Sequence, residues 1–547
     1  MTTPSFTADR AASINAIPAD AIIRIAPRAI GHALSAGIAA DLLLREGPAG
    51  TAFPLWISIA ALILTSLAWR ARRDVPSEAA TWLFVAVLSA CGLAWRDSGM
   101  LQFLDVCATA GAMGMAAIAL ANSNAALMAE RFRDTLWAGL AGIREVMLGF
   151  APNLVDALRE ARSHAAWESR SRRTARSGLL AIGVLVVFGA LLRGADPIFA
   201  SLVDIPDFNG STVVGHLLMA AWFTWLVCGW ANAALGSRLA ATRAPHRFAI
   251  ALSVQDLTAS LGVLNALFAV FMIAQLGWLF GGDAFLRART GLTAAEYARH
   301  GFFEMVWVVA LVVPLLVFTR AALVPGRATA RRHTLLSLPL LALLAGIILS
   351  AAARMKLYVH YYGLTVDRFY PLVFMGWLIA VLAWFAMTVL RDRGRAFIAG
   401  AAISAFSVLI ALNVVAPDAL VARFNAGRVQ NGEAPLGADL HHMSALSGEA
   451  IDIALPAILA PPHFAAGVHE REVEDLARCE AAWALLHRWG PGSPAAERAE
   501  GDAAWRTWNS GEQRAIGAVS ANYVALVKVK ASACRGSTSS RHTELAK

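Results

Sequence analysis

Charge is what this sequence has least of. Charged residues make up 16% of its 547 positions, and the only lysines are Lys356, Lys528, Lys530 and Lys547. Soluble domains carry about a quarter charged residues, so an ordinary water-soluble fold is excluded and lipid becomes the expected solvent. Cysteine is also sparse. Cys91, Cys107 and Cys228 lie in apolar runs, only Cys479 and Cys534 stand in polar sequence, and no pair has CxxC spacing, which excludes the usual thiol metal and redox sites. Missing too are GxxxxGK[ST], GxGxxG, HExxH and GxSxG, and with them the familiar nucleotide, zinc-protease and hydrolase chemistries. His441, His442, His463 and His469 lack the carboxylate or cysteine spacing of a metal site. No catalytic residue, metal or cofactor is expected.

What is present is hydrophobic: 58% of residues, with a mean hydropathy of +0.56. The net charge of +9 does not point to nucleic acid, because the arginines sit in short clusters between apolar segments rather than on one domain. Residues 1–28 contain Asp9 and Asp20 and no apolar core, so they read as a flexible tail and not as a cleaved signal peptide. A spanning helix needs about 20 apolar residues. That length recurs at Ala29–Leu44, Phe53–Trp69, Ala79–Trp95, Leu101–Ala121, Ser177–Leu192, Val213–Leu235, Leu257–Phe280, Phe302–Ala322, Leu335–Ala353, Phe369–Leu390 and Ala396–Val415. The first is short and carries His32 and Asp41, so it reads equally as a re-entrant piece.

Arginine supplies the orientation. Clusters at Arg70/Arg72/Arg73, Arg131–Arg176, Arg238/Arg243/Arg247, Arg320/Arg327/Arg331/Arg332 and Arg391/Arg393/Arg395 each follow an even-numbered span. Short cytoplasmic loops hold the basic excess, so the expectation is an all-α, polytopic transmembrane bundle of about 11 spans, residues 29–416, with the N-terminus in and the C-terminus out. Within 131–176, Leu136, Leu140, Ile143, Met147, Phe150, Leu154 and Leu158 recur at helical spacing among arginines. This predicts a cytoplasmic amphipathic helix, broken near Pro152, that either binds anionic lipid or packs on the bundle. The region 417–547 is polar with helical periodicity around Val473–Trp489 and Ala503–Val527, a small non-cytoplasmic helical tail. Cys479 and Cys534 would there meet an oxidising compartment, as a bridge or as two free thiols.

Placed on this topology, Asp41, Asp105, Asp196, His216, Glu304, Arg354 and Asn413 all fall toward the outer ends of their spans. Intramembrane polar groups are expensive and tend to mark sites. The densest run is Arg354-Met-Lys356-Leu-Tyr358-Val-His360-Tyr361-Tyr362-Gly363-Leu364-Thr365-Val-Asp367-Arg368. If the helix continues past Arg354, then Arg354, Tyr358 and Tyr361 share a face. The candidate binding cluster is therefore Asp105, Asp196, His216, Glu304, Arg354, Tyr358, His360, Tyr362, Arg368 and Asn413, with Glu304 the natural counter-ion of Arg354. Arg with Tyr and His can hold a phosphate or carboxylate. The same residues read equally well as interfacial anchors and a structural clamp between helices.

Certain segments are also familiar: Gln275 with Leu279-Phe280-Gly281-Gly282; Glu296-Tyr297-Ala298-Arg299-His300-Gly301-Phe302-Phe303-Glu304; Arg354-Met355 to Tyr358; Tyr362-Gly363-Leu364-Thr365 with Arg368; Ala195-Asp196-Pro197-Ile198-Phe199; and Asn413 before Pro417-Asp418 and Asn425. In this order they resemble the bacterial multi-pass membrane family catalogued as a domain of unknown function, the 4153/4173 group. His300, and Asp439-Leu-His-His-Met in the tail, depart from the pattern. The resemblance implies one continuous membrane domain from the second span to about Ala460 and adds no catalytic residue.

The leading expectation is a non-enzymatic bacterial inner-membrane protein whose partners are the lipid bilayer and an envelope protein, with an outward-facing polar vestibule for coupling or sensing. The alternatives are a secondary transporter for a small solute, for which Asn232, Gln255 and Asn265 give thin evidence of an inner path, and a membrane enzyme on lipid-linked or glycan substrates. In the latter, Glu304 or Asp196 would act as base and Arg354 with His360 would hold a phosphate.

Overall fold

The computed structural model describes residues 26–47, 50–71, 74–121, 132–151, 154–155, 181, 184, 188, 210–235, 253–290, 302–322, 326–391, 393, 395–431, 436–460 and 468–544. Among these residues the chain is helical, without a strand. The first helices are α1 (Ala26–Leu44), α2 (Ala52–Arg70), α3 (Ser77–Trp95), α4 (Gly99–Ala121), α5 (Phe132–Leu148), α6 (Gly210–Leu235), α7 (Val254–Thr290), α8 (Phe302–Ala322), α9 (Arg327–Tyr362), α10 (Val366–Thr388) and α11 (Arg395–Val415). Eight of the described helices, namely α2–α4, α6, α7 and α9–α11, are long and apolar enough to cross a membrane. The span expected at Ser177–Leu192 falls almost wholly outside the described residues.

Two apolar cores hold the bundle. In the first, α1–α4 and α6 meet through small residues: Ala33, Ala36, Ala40, Ala60, Ala86, Ala112 and Ala116 are all buried. Small side chains let helix backbones approach closely where lipid removes the hydrophobic drive between them. Gly37 shows how close: a Cβ there would run into Thr224 and Ala220 of α6. The second core, around α7–α11, is built from Leu257, Leu261, Leu316, Leu340, Leu344, Phe385 and Phe397. Leu62, Phe84, Val263, Ile273 and Leu349 point away from both and are exposed, as lipid-facing residues are when helices cross a bilayer.

α5 behaves as an amphipathic helix. Leu140, Ile143, Met147 and Leu148 are exposed at i, i+3, i+7 and i+8 while Ala141 and Glu145 are buried. Its end is fastened to α6, where Trp225 Nε1 donates to the Met147 carbonyl at 3.2 Å and Asn232 Nδ2 to the Gly149 carbonyl at 2.7 Å. It terminates at Leu148, ahead of Pro152.

The C-terminal region is a helical lobe: α12 (Pro417–Gln430), α13 (Leu436–Ala445), α14 (Ile451–Leu459), α15 (Val468–Trp489), α16 (Pro494–Glu500), α17 (Ala504–Thr507), α18 (Ser510–Ala521) and α19 (Tyr523–Glu544). The continuous periodicity over Ala503–Val527 is divided in the structure. Asn509 caps α18 by accepting from the Gly511 and Glu512 amides, and Asn522 separates α18 from α19. The lobe has its own core of Leu440, Met443, Ile451, Ile458, Leu485, Trp489 and Leu526. It rests on one end of the bundle, with α17 against α2, α18 against α3, and α12 against α10 and α11.

Candidate functional site

The helix ends beneath the lobe carry a run of buried polar groups. The short connection between α3 and α4 is Arg96-Asp97-Ser98, and all three residues bond across to distant chain. Arg96 Nε donates to the Asn413 carbonyl at 2.6 Å, one of the last carbonyls of α11, which no helical amide can satisfy. Ser98 Oγ donates to Asp418 Oδ1 at 3.0 Å, and Asp418 Oδ2 accepts the Ser447 amide at 2.9 Å. The Asp97 amide donates to Glu449 Oε1 at 2.7 Å while Asp97 Oδ2 accepts the Gly448 amide at 2.9 Å, a reciprocal pair. Asn509, 1% exposed, donates to the carbonyls of Leu93 and Arg96 at 2.8 and 2.7 Å. One amide side chain thus closes the end of α3 and starts α18.

A second set lies at the turn between α9 and α10. Gly363 has φ of 76°, a left-handed conformation that glycine adopts at low cost, and it reverses the chain there. Leu364 and Asn425 exchange hydrogen bonds, amide to Oδ1 at 2.9 Å and Nδ2 to carbonyl at 2.8 Å. Arg428 Nη2 donates to the His360 carbonyl at 3.0 Å. Arg368 donates to the Tyr362 carbonyl at 2.9 Å and to the Gly363 carbonyl, and its guanidinium lies 4.2 Å from the Tyr358 ring centroid. The last carbonyls of α9 are therefore capped by arginines from two other helices.

Within the bundle, Asn413 Nδ2 donates to both Asp105 oxygens, at 3.0 and 3.3 Å, and Asp105 is fully buried. Its Oδ2 occupies the space a side chain at position 92 would fill, which is why glycine stands there. His216 Nδ1 lies 2.8 Å from Asp41 Oδ1, and Arg45 pairs with the same carboxylate at 3.0 Å.

The residues expected from sequence are thus distributed as follows. Asp105 and Asn413 form one buried pair, whereas His216 belongs with Asp41 in a separate pair. Tyr358, Tyr362 and Arg368 form a third group, in which Tyr358 and Tyr362 also meet ring to ring at 5.0 Å. The helix does continue past Arg354, yet Arg354 is buried whereas Tyr361, His360 and Tyr362 are exposed. Asp196 and the Glu304 side chain lie outside the described residues. Cys479 and Cys534 are joined as a disulfide with Cα atoms 5.3 Å apart. His441 lies 3.7 Å from Glu480, and among the described residues no group of three metal-ligating side chains gathers. Reading the sequence did not single out Arg96, Asp97, Ser98, Arg428, Glu449 or Asn509. Asp418 and Asn425 entered it only through the resemblance, with no role.

Asp97 is the titratable centre of the seam. Burial pushes its carboxyl up to about 6, the nearby Glu449 and Glu512 push the same way, and the Gly448 amide and Arg488 at 3.6 Å pull against them. The same burial lowers the Arg96 guanidinium from its usual value. An unfolded Asp titrates near 3.8, so between about 4 and 6 the folded chain holds the extra proton. This stabilisation is complete below about pH 4 and is lost as pH rises through about 6. Lobe attachment, read as the temperature at which protease releases the lobe in detergent, is expected to weaken over that window by up to about 3 kcal/mol. Asp97→Asn should flatten the profile, and an unchanged profile in that variant refutes the assignment.

A family model described as Domain of unknown function (DUF4153) matches residues 83–456, more than half of the chain. The chain belongs to the DUF4153 family. No curated protein and no solved structure matches it. The DUF4153 match runs from α3 through most of α14, so it contains both the Arg96–Ser98 connection and its partners Asp418, Ser447 and Glu449. Asn509 and Arg488, which also meet that connection, lie beyond it.

Proposed function

We propose that this DUF4153 protein is a non-enzymatic, multi-pass protein of the bacterial inner membrane, of about eleven spans with the lobe outside, that couples an envelope partner or signal to the membrane bundle. The observation that carries this reading is the seam itself. Buried polar groups fasten the lobe to the end of α3, to the Arg96–Ser98 connection and to the turn between α9 and α10, so a load on the lobe reaches the bundle through short hydrogen bonds. That architecture suits transmission better than turnover. The alternation of arginine clusters supports the orientation. The exposed apolar stripe of α5, among arginines, supports a helix lying in an anionic inner leaflet.

Two labelling experiments test it. With membrane-impermeant thiol reagent on intact cells, a cysteine at Asp502 should react and one at Arg331 should not; the reverse pattern overturns the orientation. Cysteines stepped along α7 and α9 should label only near the lobe end. Labelling along the whole face of either helix would replace coupling with a transport path.

A further inference from the structure

α10 and α11 pack together and α4 packs on α11; the three share a small buried cluster of Leu101, Tyr370, Leu409 and Leu412, and beside it a cavity of about 480 Å³ remains between them. That volume lies within the roughly 300–1,000 Å³ of small-molecule sites. The cause is a mismatch of side-chain size. The small residues Ala108 and Ala405 and the large Phe374 and Trp377 all line the cavity, with Leu104 and Leu409. Trp377 is held in place, since its Nε1 donates to Ser404 Oγ at 3.1 Å and Ser404 donates in turn to the Ala401 carbonyl at 2.8 Å. The hydrogen bond fixes the Trp377 ring as one wall of the gap.

We propose that this groove holds one hydrocarbon chain of a membrane lipid, drawn from the leaflet on the lobe side. The inference rests on the reading that these helices cross the membrane. Depth argues for it. At about 1.5 Å per residue, Tyr370 lies about 6 Å from the lobe end of α10, and Trp377 and Ser404 both lie about 16 Å from the lobe ends of their helices. The groove thus spans the depth of one leaflet of a core about 30 Å thick. Chemistry argues for it as well. Among the described residues no charged side chain lines the cavity, and only Tyr370 and Trp377 bring side-chain polar atoms to it, which disfavours an ion or a phosphate inside it and leaves few hydrogen-bonding groups for a sugar. Of its lining residues Met100 and Phe374 are 46% and 38% exposed, so the groove is open at the bundle surface, where acyl chains are the neighbours of a helix that crosses the membrane. A void there forfeits its dispersion contacts, and a partner helix about 10 Å across is too wide for it.

The probe is phosphatidylglycerol bearing a diazirine on one acyl chain, reconstituted with the full-length protein in vesicles. Photolabel should concentrate on peptides containing Leu104–Ala108, Val373–Trp377 and Ala405–Leu409. Ala405→Trp, which fills the groove, should lower it there about tenfold, equivalent to about 1.4 kcal/mol. A tryptophan at Leu62, on an exposed face elsewhere, should leave it unchanged. Label spread evenly over exposed faces such as Leu62 and Leu349 and indifferent to Ala405→Trp would mean annular lipid only and overturn the proposal. Thermal stability of Ala405→Trp at or above that of the natural protein excludes misfolding as the cause of a loss. Failure of the impermeant-reagent pattern would instead strike the proposed orientation, leaving the groove result to stand or fall separately.

Discussion

Gly363→Val should lower the stability of the lobe–bundle junction by about 3–5 kcal/mol, a large effect for one position, because the glycine is buried in its turn. Part is backbone: φ of 76° with ψ of 174° is a region essentially confined to glycine and costs another residue about 1–3 kcal/mol. The rest is what the new side chain displaces. A Cβ at 363 would sit 2.7 Å from Arg428 Nη1 and 2.9 Å from Asn425 Oδ1, so both must move. Asn425 is 1% exposed and exchanges two hydrogen bonds with Leu364, and leaving those groups unpaired while buried costs about 1–3 kcal/mol. The measurement is thermal unfolding in mild detergent with protease release of the lobe as a second readout. Asn425→Ala should show the hydrogen-bond share alone, and a Gly363→Val protein as stable as the natural one would remove the turn from the account.

The bundle was legible in the sequence because its signals are local. Apolar runs of the required length and arginine clusters at their ends are properties of neighbouring residues, and ten of the eleven expected segments coincide with described helices. The polar end of the bundle was legible only as a direction. Asp105, His216, Arg354 and Asn413 do lie toward the lobe end of their helices, but which of them touch was decided by packing between positions hundreds of residues apart. Asp105 finds Asn413 and not Arg354; His216 finds Asp41. The seam was invisible for a related reason. Asp97 and Ser98 look like ordinary loop residues, Asn509 like an ordinary cap, and nothing near them in sequence says that Glu449, Asp418 or the carbonyl of Leu93 waits opposite. Gly363 and Asn425 were picked out by resemblance without a mechanism. The structure supplies one: the glycine makes room for the asparagine.

Removing the bridge between Cys479 and Cys534 should cost the lobe about 4 kcal/mol, from the loop-closure entropy of a sequence separation of 55. The bridge ties α15 to α19, which the lobe core otherwise holds through Ala481, Leu485 and Leu526. A disulfide persists in an oxidising compartment and is rare in the cytosol, so the same experiment bears on which side of the membrane the lobe occupies. Cys534→Ser and the natural protein treated with a membrane-permeant thiol reductant should unfold at matching, lowered temperatures, and reductant should have no further effect on Cys534→Ser. Hydrogen exchange should speed up in α19 first, since of the two bridged helices it has fewer residues in the lobe core, Leu526 against Ala477, Ala481, Ala482, Leu485 and Trp489 of α15. Mass spectrometry finding both thiols free in native membranes would remove the bridge and, with it, the support it lends to a lobe on the outer side.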